Sequence, residues 1–180
     1  EIVGAEINYG TGTLRVFADE FLETNAVGAA DPLKLAIKKA TGLPGFTLEG
    51  SIFAPSADGL EFSIILNETE RIAAIRTSGT PGGDGGTNFV DVSATAFADV
   101  AQNYNRETLD IQLFEIADTV RPEVINCTLD FDKGIITIFF SETIDQTPPE
   151  DVSFDRIFIS NAFNEKTISL ADCTLRWAGD

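Results

Sequence analysis

Apolar and polar residues alternate along this chain in short runs, with the two-residue period of a half-buried strand. The runs TLRVF, LKLAI, LEFSIIL, FVDVSAT, LDIQLFEI, IITIFF and RIFIS are rich in β-branched and aromatic residues, and Gly, Pro, Asp and Asn separate them. That spacing predicts an all-β chain built as an antiparallel β-sandwich of about seven strands. One stretch departs from the alternation. In NETERIAAIR, Asn67 is placed to cap a helix with Glu70 three residues on, followed by an apolar face of Ile72, Ala73 and Ile75. This is the pattern of a capping box, and it predicts a short helix bridging two strands.

The pattern also repeats. Glu123 follows Glu1 at a separation of 123 − 1 = 122, and at that fixed offset Gly12 falls on Gly134, Leu14 on Ile136, Val16 on Ile138 and Phe17 on Phe139. Farther on, Leu35 falls on Ile157, Ile37 on Ile159, Ala40 on Ala162 and Leu48 on Leu170. Apolar positions land on apolar positions without a gap, which is the signature of an internal repeat. The expected organisation is a complete sandwich over residues 1–120 and the first half of a second copy over residues 121–180. Between them Arg121-Pro122 forces extended backbone on the residue before the proline, so the linker reads as short and stiff, as in a rod.

The residues around this junction carry a resemblance. RPEVINCTLDFDKGIITIFFSETID is similar to the opening strands of bacterial-type immunoglobulin-like repeats, with Phe140-Ser141-Glu142 in the place of their FSE motif and Ala18-Asp19-Glu20 in the first unit. DVAQN, Asp99 to Asn103, resembles the D-x-x-G-N turn near the end of such domains, with Gln102 where the family has Gly. The stretch from Leu66 to Asn103 also resembles long tandem repeats of large extracellular proteins in marine algae and other protists, Thr87-Asn88-Phe89-Val90 matching an NTYL-like strand start. The resemblance implies immunoglobulin-like β-sandwiches in tandem with one short helix per unit, in a secreted or cell-surface array. It implies structure and no catalysis.

Composition narrows the functional classes. Hydrophobic residues make up 43% of the chain and include fourteen Phe, enough for a packed core. No apolar run reaches the roughly 18 residues of a membrane-spanning helix, and no signal peptide is visible. The lack of Met is consistent with a processed or excised segment. Twenty-nine acidic residues against twelve basic ones give a formal charge of −17, which disfavours nucleic acid and anionic lipid as partners. There is no His, so a Ser-His-Asp arrangement is excluded, and no nucleophile-elbow, phosphate-loop or Cys-x-x-Cys motif is present. The chain reads as a non-enzyme.

The remaining candidates are surface features. TSGTPGGDGGTN, Thr77 to Asn88, is Gly-rich but lacks the Lys-Ser/Thr of a phosphate loop, and reads as a mobile surface loop. Asp99, Asn103 and Asn105 read as Asx-type turns, with Ca²⁺ ligation by their oxygens as the alternative. Asn67-Glu68-Thr69 and Asn126-Cys127-Thr128 are N-glycosylation sequons, and Thr147 beside Pro148-Pro149 is a weaker O-linked candidate. Cys127 and Cys173 both lie in the second unit, where the first has Ala5 and Ser51, a pattern that suggests a bonded pair in an oxidising compartment. No cofactor is required by any of these features. The expected partners are neighbouring repeats or copies of the same chain, with glycans as a further possibility. The functional expectation is a structural repeat of an extracellular fibrous glycoprotein, or else a calcium-dependent adhesin that binds glycans.

Overall fold

The computed structural model describes residues 1–25, 29–145, 152–163 and 167–175. The chain divides into two compact units, Glu1–Glu123 and Val124–Asp180.

In its described residues unit 1 is a mixed eight-stranded sheet with one α-helix. Its strands are β1 (Ile2–Asn8), β2 (Thr13–Leu22), β3 (Leu35–Lys38), β4 (Phe46–Thr47), β5 (Ile52–Ala54), β6 (Gly59–Ile65), β7 (Phe89–Val92) and β8 (Thr108–Ile116), in the spatial order β4-β3-β7-β8-β1-β2-β6-β5. The alternation seen in the sequence is the alternation of burial. Leu14, Val16 and Ala18 of β2 face inward, as do Phe62 and Ile64 of β6, while Thr13, Arg15 and Phe17 are more open. From the other half of the sheet Leu35, Ile37, Val90, Val92 and Leu113 enter the same core. Two halves of one sheet can share a single core only if the sheet curls over on itself.

All neighbouring strands pair antiparallel except one. β1 runs parallel to β8, with Ala5 opposite Leu113 and Asn8 opposite Ile116. The wholly antiparallel arrangement expected from the sequence is corrected here, and the reason is topological. β1 is antiparallel to β2 and closes the gap to β8, which leaves a single parallel seam between the first and last strands.

The helix α1 (Glu68–Arg76) starts as its sequence dictates. The Asn67 side chain accepts from the Glu70 backbone N–H at 2.8 Å, and the Glu70 carboxylate accepts from the Asn67 N–H at 3.3 Å, completing a capping box. The buried face is not the expected Ile72, Ala73 and Ile75 but Glu70, Arg71 and Ala74, with Ile75 packing partly against the core. The helix therefore docks through polar contacts of Glu70 and Arg71 as well as through Ala74 and Ile75.

In the described part of unit 2 the strands are β9 (Val124–Asp130), β10 (Ile135–Phe140), β11 (Phe158–Ser160) and β12 (Thr167–Ser169), forming two separate hairpin-like pairs, β9 with β10 and β11 with β12. Their local geometry recurs from unit 1 at the offset 124 − 2 = 122. Ile7 pairs with Leu14, and Leu129 with Ile136. A register shift lies between Ile2 and Gly4 in the first hairpin, and the second shifts between Phe139 and Phe140, opposite Asn126 and Val124. Gly12 and Gly134, in the two hairpin turns, both take the left-handed conformation (φ 65° and 64°) that a β-carbon disfavours. The 3₁₀ turn Pro32–Lys34 has its counterpart in Phe154–Arg156. Leu48 N–H donates to Leu35 C=O at 3.2 Å, and Leu170 N–H to Ile157 C=O at 3.0 Å.

Candidate functional site

At the end of unit 1 that carries α1, a polar cluster is assembled from distant parts of the chain. Tyr9, fully buried just after β1, donates its hydroxyl to the Glu115 carboxylate at 2.6 Å and accepts from the Asn88 amide at 2.8 Å. Burial and the Glu115 carboxylate push the Tyr9 hydroxyl well above its ordinary pKa. Asn88 also donates to the Ala74 C=O at 2.7 Å, in the last helical turn, and accepts from the Thr77 hydroxyl at 2.8 Å. Arg71 makes a two-pronged contact with Glu68 at 2.8 and 2.9 Å, and its Nη1 reaches both the Tyr9 C=O at 2.9 Å and Asp118 at 2.7 Å. Glu68 first, then Asp118, hold the guanidinium further above its ordinary range. Glu70 accepts from Gly50 N–H at 2.7 Å and from the Ser51 hydroxyl.

Each of these groups has a partner, and none is an unpaired nucleophile or base. The cluster fastens α1, the β1–β2 turn and the segment after β8 to one another. Sequence reasoning missed it because its members are 62, 79 and 106 residues apart. The only local signal was the polar character of Glu70 and Arg71 on a helix whose neighbours are apolar.

The Gly-rich stretch from Thr77 to Asn88 folds into hydrogen-bonded turns. Gly83 N–H donates to Thr80 C=O, Gly85 N–H to Ser78 C=O, and Asp84 pairs with Lys39. A β-carbon on Gly83 would lie 2.2 Å from the Ser78 carbonyl oxygen, so the close approach requires glycine there. Ser78 and Asn88 anchor the two ends of the loop in the interior, while Pro81, Gly82, Asp84 and Gly85 between them are exposed, as expected of a surface loop.

At the opposite end of unit 1 lie the residues proposed for Ca²⁺. The Asp99 carboxylate accepts from both the backbone and the side-chain amide of Asn103, each at 2.8 Å, and these bonds lower its pKa. Asn105 accepts from Phe97 N–H at 3.1 Å and donates to Ser93 and Arg106 carbonyls at 2.9 Å. The Asp99 carboxylate thus closes its own loop, whereas Asn105 ties Phe97, Ser93 and Arg106 together and forms no Asx turn; the side-chain oxygens of Asp99 and Asn105 are engaged in these bonds. No group of three His, Cys, Asp or Glu side chains suited to a metal occurs among the described residues. Gln102 occupies a left-handed position (φ 68°), the conformation for which glycine is preferred, and its side chain donates to Glu23. Beside this loop is an open cavity of about 400 Å³ whose lining includes Leu22, Phe97, Asp99, Asn103 and Tyr104.

Comparison with known proteins returns no matching family model, no similar curated protein and no similar solved structure.

The modification candidates are placed as follows. Asn67 is exposed at the helix start, with its side-chain oxygen used in the cap. Its Nδ2 lies directly against Gly50, where a β-carbon would come within 1.7 Å, so a sugar would have to leave from the side away from Gly50. Asn126 is exposed on β9. Thr147 lies outside the described residues. Cys127, on β9, and Cys173, beyond β12, are separate, exposed free thiols; the bond read from the sequence is not formed in the structure.

Proposed function

We propose that the chain is a structural repeat of an extracellular fibrous glycoprotein, in which immunoglobulin-like domains follow one another in tandem and stack into a rod. The observation that carries this reading is the return of one hydrogen-bond register, bulge and turn at an offset of 122 residues (Leu129 − Ile7; Ile136 − Leu14). The strand order supports the immunoglobulin-like part. β1-β2-β6-β5 follows the A-B-E-D order of such domains, and β3-β7-β8 follows C-F-G with β4 at its outer edge. The polar cluster supports the rod. Asp118, two residues after β8, is tied to Arg71, so the chain leaving unit 1 is held in place up to the start of the linker. The acidic surface keeps such an array soluble and resistant to random association. Exposed sequons at Asn67 and Asn126 fit a secreted glycoprotein.

Electron microscopy of the native material tests the reading. Filaments with a regular axial repeat are expected, and isolated compact particles would overturn it. A second reading, a calcium-dependent or glycan-binding adhesin, draws on the cavity beside Asp99, Asn103 and the exposed Tyr104. Glycan-array binding that is lost with a chelator would favour it.

A further inference from the structure

The two copies of the hairpin differ in what lies against them. In unit 1, β2 is flanked by β6 (Leu14 opposite Ile64, Val16 opposite Phe62), β1 by β8 in parallel, and β3 by β7 (Leu35 opposite Val92, Ile37 opposite Val90). In the described part of unit 2, β9 and β10 have only each other, and so do β11 and β12. The side chains report the same difference. Ile7 is 0% exposed and its counterpart Leu129 is 37% exposed; Tyr9 is 0% exposed and Phe131 is 86% exposed. Phe131 is the most informative of these, because Tyr9 is covered by contacts from Asn88 and Glu115, residues that follow β6 in sequence.

We infer that the open faces of unit 2 are docking surfaces for a segment of the same polypeptide patterned like residues 59–116 of unit 1. That segment carries a strand that pairs antiparallel with β10 as β6 does with β2, a strand that pairs antiparallel with β11 as β7 does with β3, and a strand that pairs parallel with residues Cys127 to Asp130 as β8 does with β1. A helix of the α1 kind follows the first of these strands and closes over Phe131. The inference rests on the tandem reading and names the partner that completes its second unit. A second copy of the chain is the weaker occupant. Its own residues 59–116 are already used in its unit 1, and two chains of formal charge −17 repel each other.

A fusion provides the test. Position 180 corresponds to position 58, since 180 − 122 = 58, so residues 59–122 joined directly after Asp180 restore the spacing found in unit 1. Amide exchange is measured on the 180-residue chain and on the fusion. Completion in cis is expected to slow exchange of the β9 and β10 amides by about 100-fold or more, toward the rates of β1 and β2. A second fusion, with the added copies of Ile111 and Leu113 changed to Asp, is expected to leave β9 unprotected while unit 1 keeps its protection. Exchange at β9 and β10 unchanged by the first fusion would overturn the inference. So would protection that develops in the 180-residue chain as its concentration rises and a dimer forms, because a second copy would then be the occupant. Filaments in the native material are scored separately, so the rod can fail while this pairing stands, and the reverse.

Discussion

β1 and β2 in unit 1 and β9 and β10 in unit 2 share turn, register and bulge, yet the first hairpin is interior and the second is open. The difference separates two things that a sequence encodes. Turn chemistry and alternation are local, and they suffice to set Gly12 and Gly134 in the same left-handed turn. Burial is not local. Leu14 is fully buried in a unit where β6 lies beside β2, and Ile136, at the equivalent register position of its own hairpin, is only partly covered.

The sharpest break of this comparison is at that pair. Leu14→Ala should cost unit 1 about 3 kcal/mol, by lost transfer energy plus a cavity, while Ile136→Ala should change the same unfolding midpoint by less than about 0.5 kcal/mol. Urea melts of both variants decide it, and equal losses would mean that the two hairpins share one cooperative unit. Next in size is Arg71→Met. Removing the guanidinium leaves the Asp118 carboxylate and the Tyr9 carbonyl without it, at a cost of about 2–3 kcal/mol. The same variant should speed exchange of the Val120 amide, whose N–H donates to Asp118 at 2.9 Å.

A smaller effect separates the cap from the sugar at Asn67. Asn67→Ala should destabilise unit 1 by about 1 kcal/mol, and Asn67→Asp should keep the cap at nearly full strength. Both abolish the sequon, so in secreted material both should lose the same glycan mass by intact-mass measurement. Loss of mass in neither would remove Asn67 as a modification site. Gln102→Gly should stabilise unit 1 by about 0.5–1 kcal/mol, since relief of the left-handed backbone outweighs the added freedom of the unfolded chain. A fall in the melting temperature would show that the contact with Glu23 matters more than the backbone. The least change is expected at the thiols. Both Cys127 and Cys173 should alkylate without reductant, at rates within about threefold of the unfolded chain, as exposed thiols do.

Much of the fold was legible because its determinants sit within a few residues of one another. The capping box at Asn67 and Glu70, the loop closed by Asp99 on Asn103, and the strand runs LEFSIIL and LDIQLFEI are all short-range patterns. LKLAI was legible only in part. Asp31-Pro32 opens a 3₁₀ turn, the Asp31 carboxylate accepting from Leu33 N–H, before β3 begins at Leu35. The parallel β1–β8 seam left no trace in the alternation, because side chains alternate along a strand whichever way its neighbour runs. The polar face of α1 was missed for a related reason. Glu70 and Arg71 look like solvent-facing residues until Gly50, Ser51, Tyr9 and Asp118 are brought against them by the sheet.

The parallel seam also governs how unit 1 responds to load. β1 is the first strand and β8 the last, and because they run the same way the chain enters at one end of their pairing and leaves at the other. Tension applied through the two ends of the unit acts along those strands in opposite senses. The hydrogen bonds between Ala5–Asn8 and Leu113–Ile116 are then sheared together and not peeled one at a time. Antiparallel terminal strands with both ends on one side would unzip under the same pull. Unit 1 is thus fastened against a pull applied through its own two ends.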